Sequence, residues 1–342
     1  NGTYIRTAGT SRPAHPYKIT ELEMEGKRIY WDELVCIGYK VTDDAIQKLC
    51  RDIEKYRKEM KLPHREMTAT QLVNWKLLKE EDDNLLASNA FVLLTSDYFP
   101  FSKTQCAVFK GTDRAVFLDK REYTGPLYVQ IAEAVSFVLR NIRLGAKIEG
   151  LIRKEAYELP VDAIREMIVN AHCHRSMTDE SCVQVAIYDD RLEVTSPGGF
   201  YNVLTFEEAL QGHSKLRNRA IANVFSQIGL IEAWGTGLQR IQKAAKDYKL
   251  PEPEFIEMPE TFRMNLFRNV LPTGSDGDVG ENSAKFGESS VKSSVKFAEV
   301  MLNGTQLEIA QRIEADNRIS AKQISEELSL SVRAIEKNIK EL

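Results

Sequence analysis

Three short runs of this chain carry side chains whose types and spacing suit work on a phosphate chain. Glu166 and Asn170 stand four residues apart in a helical pattern, so they project from one face, a turn apart. A general base and a metal-coordinating amide would need that placement to act on one ligand. Ser196-Pro-Gly-Gly199 follows a strand-like run, and Gly198 and Gly199 permit positive φ and close approach of backbone to a ligand. Gly235-Thr-Gly237 opens a helix whose free N-terminal amides suit phosphate oxygens. Taken singly, these could be an exposed glutamate, an idle asparagine, a plain turn and a stray glycine pair. In this order, Glu166, Asn170, Ser196, Gly198, Gly199, Gly235, Thr236 and Gly237 form a candidate site for a magnesium-bound nucleotide. Glu166 is the catalytic candidate and Asn170 the ligand of the nucleotide's magnesium.

A second set lies at the C-terminus, where Thr305 to Leu342 reads as three helices. Ile309, Ile313, Ile319, Ile324, Leu328, Leu330, Val332, Ile335 and Ile339 form its core, with Ser320 as a cap and Ser329-Leu-Ser331 as a turn. The last helix presents Arg333, Lys337 and Lys340, as a helix-turn-helix reading double-stranded DNA in the major groove would. Six basic residues against seven acidic ones between 305 and 342 make a poor phosphate-gripping surface, so a small dimerisation module is the competing reading.

The elements that must position these residues follow from periodicity. Thr3 to Arg6 is strand-like, a turn-rich stretch runs to Ala14, and Glu21 to Arg28 is a charged run. Helices are predicted from Thr42 (Ile46, Leu49, Ile53, Tyr56) and from Thr68 (Leu72, Trp75, Leu77, Leu78), before a buried run at Phe91 to Leu94. Gln105 to Lys110 and Ala115 to Asp119 pair around Gly111. Long helices follow Pro126 and Pro160, and Cys182 to Ile187 and Arg191 to Thr195 make a hairpin. Helices at Thr205 to Leu210, Asn218 to Ile228 and Thr236 to Tyr248 lead to strands at Glu254 to Met258 and Thr261 to Phe267. Helices alternating with antiparallel hairpins give an α+β layer sandwich.

Composition narrows the class. No run of 18 apolar residues and no signal segment occurs, so the expected location is the cytoplasm, with no membrane partner. Five scattered cysteines without a C-x-x-C pair argue for reduced thiols. Cys173 between His172 and His174 lacks a second pair at zinc-ligand spacing. A net charge of −4 confines any nucleic-acid contact to local patches, such as Tyr4, Arg6 and Arg12. The expected organisation is a remnant at 1–30, a connecting region at 31–125, the α+β module at 126–271, a Gly/Ser/Asp-rich flexible linker at 272–298 and a truncated helix-turn-helix at 299–342. Both ends read as cut from a longer chain.

Taken together, Arg165-Glu-Met-Ile-Val-Asn-Ala-His-Cys-His-Arg175, Ser196-Pro-Gly-Gly199, Arg217-Asn218 and Glu232-Ala-Trp-Gly-Thr-Gly237 resemble a bacterial family labelled RecG-related helicase C-terminal or transcriptional regulator. More broadly the arrangement resembles the Bergerat (GHKL-like) ATPases, such as gyrase and the histidine kinases. Thr3 to Ala14 resembles the end of the AlbA-2 (Schlafen-like) domain that family members carry at the N-terminus. The resemblance implies a water-activating role for Glu166, magnesium at Asn170, and nucleotide loops at Gly198, Gly199, Gly235 and Gly237, with His213 to Arg217 where a lid would lie. It departs at Ser196, where the superfamily has an aspartate for the adenine amino group, and at Ser176-Met177, where the family has an aspartate and an aromatic. No G-x-x-x-x-G-K-[ST] sequence occurs, which counts against helicase activity.

The expected function is a DNA-binding transcriptional regulator, homodimeric, with a nucleotide-binding or degenerate ATPase-like module. An ATP-hydrolysing, nucleic-acid-remodelling enzyme and a non-catalytic scaffold are the alternatives the same residues allow.

Overall fold

The computed structural model describes residues 2–7, 10–82, 84–149, 152–202, 204–232, 235–258, 260–269, 320–328 and 331–335. They belong to two compact units, Asn1–Gly287 and Glu288–Leu342. The predicted linker at 272–298 lies outside the described residues, as do Ile309, Ile313, Ile319, Leu330, Lys337, Ile339 and Lys340.

The first unit opens with a hairpin, β1 (Tyr4–Thr7) on β2 (Thr10–Pro13), so the stretch expected to be turn contributes a strand. Helix α1 (Pro16–Gly26) follows, with Pro16 at its start where a missing N–H costs nothing. Helix α2 (Asp43–Glu59) is capped by Thr42, whose hydroxyl accepts from the Ala45 amide at 3.2 Å, and buries Ile46, Leu49 and Ile53. Helix α3 (Ala69–Asn74) starts with a Thr68/Gln71 capping box and then stops early. Trp75, Leu77 and Leu78 were expected on this helix and lie beyond it. Lys76, at φ +63°, turns the chain out of the helix into β3 (Leu78–Glu81), which pairs with β4 (Asn84–Ala87). Leu77 and Leu78 are still buried, so apolar spacing reported burial and not helix. Helix α4 (Asn89–Thr95) holds the predicted buried run.

A six-stranded sheet forms the centre. In chain order its parts and their neighbours are β5 (Thr104–Phe109), β6 (Phe117–Tyr123), α5 (Leu127–Asn141), the hairpin β7 (Leu144–Glu149) and β8 (Ile152–Tyr157), and α6 (Val161–Cys173). Then come β9 (Val183–Ile187), β10 (Arg191–Pro197), α7 (Phe206–Leu210), α8 (Arg219–Gln227), α9 (Gly237–Asp247), β11 (Glu254–Met258) and β12 (Thr261–Phe267). The strand order is β11-β12-β10-β9-β5-β6. The fold class is α+β, with one correction: the sheet is mixed, because β5 and β9 pair in parallel. Parallel neighbours need a crossover, and the segment containing α5 and α6 supplies it.

One face of the sheet is buried by these two helices. Val183, Val185, Leu192, Val194, Met264 and Leu266 of the sheet are buried, as are Ile131, Val135 and Val138 of α5 and Ile164, Met167 and Ile168 of α6, and the two helices pack on β9, with α5 also on β5 and α6 also on β10. This holds α6 against the ends of β9 and β10 and so fixes the face carrying Glu166 and Asn170 next to the loop after β10. No helix among the described residues is long and apolar enough to cross a membrane.

In the second unit, α10 (Ala321–Leu328) has a reciprocal cap: the Ser320 hydroxyl accepts from the Gln323 amide at 3.3 Å, and Gln323 Oε1 accepts from the Ser320 amide at 2.9 Å. A second helical turn starts at Ser331, whose hydroxyl accepts from the Ala334 amide at 3.2 Å. Ile324 and Ile335 are buried and Arg333 is exposed.

Candidate functional site

Helix α6 ends at Cys173 with orphan carbonyls, which must find donors because the end is buried. Three side chains from other segments supply them. The Ser196 hydroxyl donates to the Ala171 carbonyl at 2.7 Å, and Asn218 Nδ2 donates to the carbonyls of Cys173 at 3.0 Å and Arg175 at 2.8 Å. Arg217 Nη1 donates to the His174 carbonyl, and its Nη2 to that of Gly199 at 3.0 Å. Arg217 is itself buried, and its charge is balanced by Glu21 of α1, with Nε 2.7 Å from the carboxylate. Lys18 and Arg217 together hold the Glu21 carboxyl below its ordinary range against the opposing effect of burial.

The glycines after β10 sit inside this clasp. A Cβ on Gly198, at φ +90°, would lie 2.6 Å from Arg217 Nη1 and 2.9 Å from Ser176 Cβ. One on Gly199 would lie 2.6 Å from Glu257 Oε1, which also accepts from the Phe200 amide.

The second glycine pair meets different groups. Gly235 is at φ +69°, and a Cβ there would clash with the Gly212 carbonyl oxygen. Gly237 begins α9 against the α6 pair: its Cβ would lie 2.6 Å from Glu166 Oε1 and 2.7 Å from Asn170 Nδ2. Asn170 Nδ2 donates to Glu166 at 3.3 Å, and Arg240 of α9 stands 3.7 Å from the same carboxylate and 3.1 Å from Glu232. Burial raises the Glu166 carboxyl despite Arg240 and Arg165. Thr236, at the head of α9, makes no side-chain cap, so the first-turn amides of an eleven-residue helix carry none of the usual capping bond.

Glu166, Asn170, Ser196, Gly198, Gly199, Gly235 and Gly237 all line one cavity of about 690 Å³. Thr236 sets the helix entry without lining it. Of the DNA-contact candidates, Arg333 is exposed on the second unit, and Lys337 and Lys340 lie outside the described residues. Pattern reading missed the Glu21–Arg217 pair, Arg240, and Asp32. This last carboxyl is fully buried and accepts from the Ile221 amide at 3.1 Å, which caps α8 from a distance. It also missed Asn74, Trp75 and Lys76 at the cavity edge.

The fit to a magnesium-bound nucleotide divides in two. An uncapped helix start beside an amide side chain suits phosphates and their cation. Glu166, bonded by Asn170 and faced by Arg240, has its oxygens engaged by protein, which suits binding better than proton abstraction.

Residues 180–266 match the family HATPase_c_4, described as "Putative ATP-dependent DNA helicase recG C-terminal". The matched stretch contains both glycine loops and β9 to β12, and marks this region as ATPase-like; Glu166 and Asn170 precede it. Among solved structures, the chain is similar to the DIP2311 protein from Corynebacterium diphtheriae, at a TM-score of 0.57 and 18% identity. That likeness covers 98% of this chain but 65% of that one, and at such identity it concerns the fold alone. No curated protein matches in sequence.

Proposed function

We propose that the central module binds a magnesium-nucleotide and that the chain is a homodimeric, DNA-binding transcriptional regulator responding to it. The observation carrying this reading is the meeting of Glu166 and Asn170 with the uncapped start of α9 on one cavity. In this reading Asn170 faces the cation through its carbonyl oxygen, the α9 amides hold phosphate oxygens, and Ser196 lies at the base end. There the Ser196 hydroxyl, having donated to Ala171, keeps only acceptor capacity for an amino group. Magnesium, when bound, neutralises phosphate charge; Glu166 holds Asn170 and Arg240 in place.

The DNA-binding part of the reading rests on the capped α10 and the turn at Ser331, with exposed Arg333 near the start of the following helix. A two-fold operator would be matched by a dimer, and binding would weaken steeply with salt.

Hydrolysis is the second reading, and the raised carboxyl of Glu166 favours it. Arg240 opposes it.

Calorimetric titration of magnesium-ATP into the chain and into Asn170→Ala tests the binding reading. Saturable binding is expected, weakened roughly tenfold or more by the loss of a charge-assisted contact. No heat from the unmodified chain at millimolar ATP would sink it. Steady phosphate release abolished by Glu166→Ala would instead establish hydrolysis.

A further inference from the structure

The cavity extends past the start of α9. Its axis can be laid out from the contacts between α6 and α8. Asn218, just before α8, bonds the C-terminal end of α6, while Arg165 in the first half of α6 donates to the carbonyls of Gly229 at 2.7 Å and Leu230 at 3.1 Å, just past the other end of α8. The two helices therefore run antiparallel. Ser196 is at the Ala171 end, and the Glu166–Asn170–Gly237 junction comes next. The last turn of α8 lies beyond it.

At that far end the cavity is walled by Trp75 and, from α8, by Asn223 and Ser226, with Asn74 and Lys76 beside the indole. Trp75 is tied to this place because the Arg65 guanidinium lies 5.6 Å from its ring and also reaches Gln227 Oε1 at 3.4 Å. From Arg219 to Ser226 the α8 face extends the floor by roughly 10 Å.

The two ends differ in what their polar groups are doing. Ser196, Arg217 and Asn218 are bonded to the α6 terminus. Among the described residues, half-buried Asn223 and Ser226 and exposed Asn74 and Lys76 have no side-chain hydrogen bond or ion pair with protein. Unused carboxamides and a hydroxyl around an indole recognise a flat heterocycle with donors and acceptors on its edge. An asparagine pairs with adenine in that way, and an aromatic ring stacks on any base.

We infer that the cavity has a second base subsite, built by Trp75, Asn223, Ser226 and Asn74, so that the preferred ligand is a dinucleotide. One base lies at Ser196, the bridging phosphates lie at the start of α9, and the second base lies against Trp75. The inference rests on the nucleotide reading above and names the ligand class for the same cavity.

Diadenosine tetraphosphate and ATP, each with magnesium, serve as probes in parallel calorimetric titrations against the unmodified chain, Trp75→Ala, Asn223→Ala and Asn170→Ala. The expected result is a dinucleotide affinity roughly tenfold or more above that of ATP, a ratio that stacking of one further base supplies. Trp75→Ala should bring the dinucleotide down to the ATP level while leaving ATP unchanged, and Asn223→Ala should act the same way to a smaller extent. Asn170→Ala should weaken both probes. Equal affinities for the two probes overturn the subsite and leave the nucleotide reading standing. So does a loss of both probes together in Trp75→Ala, which would make the indole merely structural. If neither probe binds the unmodified chain, the nucleotide reading falls and the subsite falls with it. Circular dichroism and the thermal midpoint of each variant separate a folding defect from a binding one, and Asn223→Ala, on a cavity-facing helix surface, keeps the test available if Trp75→Ala unfolds.

Discussion

The two glycine loops look alike in sequence and are used in opposite ways. Around Gly198 and Gly199 the space a side chain would take is filled by the protein's own Arg217, Ser176 and Glu257, and the polar residues nearby finish the end of α6. Around Gly235 and Gly237 the close neighbours are a backbone carbonyl and the Glu166–Asn170 pair, and the helix that begins there is left uncapped. The first loop is a structural joint that leaves a single hydroxyl acceptor on the cavity, and the second is a helix start with backbone donors to offer. A glycine-rich motif therefore marks close approach, while the identity of what approaches is decided by the fold.

If the first loop is a joint, its keystone is the buried Glu21–Arg217 pair, and breaking it should have the largest effect. Glu21→Ala leaves the Arg217 guanidinium buried with only carbonyl partners, a loss of about 3–5 kcal/mol in urea unfolding. Midpoints within error of the unmodified chain would show that α1 is not part of the joint. Gly235→Ala should follow at about 3 kcal/mol, since the left-handed backbone strains any side chain and the added Cβ would clash with the Gly212 backbone carbonyl oxygen. Gly198→Ala should cost less, because the groups it meets are side-chain atoms. An inverted order for these two glycines would mean that the Gly212 carbonyl yields more easily than Arg217.

Acid stability sharpens the contrast at the α6 terminus. Burial lowers His172 and His174 to about 4, so as pH falls from 6.5 toward 4 the unfolded chain takes up protons the folded chain refuses. The stability they contribute is present above 6.5 and is lost across that window, on the order of 3 kcal/mol for fully buried His172. Asp32 acts the other way. Burial raises it to about 7, so its contribution is present below 4 and lost as pH rises to 7. Asp32→Asn removes the opposing slope. Its urea midpoints should therefore fall more steeply than those of the unmodified chain between pH 6.5 and 4.5. Parallel curves would put Asp32 outside the titration.

Local features were legible in the sequence where a local rule sets them. Thr42, Thr68 and Ser320 cap helices because a hydroxyl three residues before an amide can reach it, and β11 and β12 fall where alternation and turns place them. The motif residues other than Thr236 also share a cavity, because helix spacing fixes Glu166 with Asn170 and glycine marks the two close approaches. The missed contacts of the site are long-range. Glu21 on a charged helix gives no sign that Arg217 lies over it, and Arg240 looks like the solvent face of α9 until α6 is packed alongside. Trp75 was expected on the helix from Thr68 because an apolar spacing cannot tell a helix from the turn that ends one.

The smallest expected effect lies at Ser196. Ser196→Ala leaves the Ala171 carbonyl without its donor in a buried setting, a loss of about 1 kcal/mol. The informative variant is Ser196→Asp, which places here the aspartate that the resemblance to Bergerat ATPases leads one to expect. A carboxylate cannot donate to Ala171 and would instead set negative charge against the carbonyl oxygens at the end of α6. The variant should therefore be less stable than Ser196→Ala and bind magnesium-ATP no more tightly than the unmodified chain. Tighter binding by Ser196→Asp, measured beside its unfolding midpoint, would show that this position serves the ligand more than the α6 joint, and would break the contrast between the two loops.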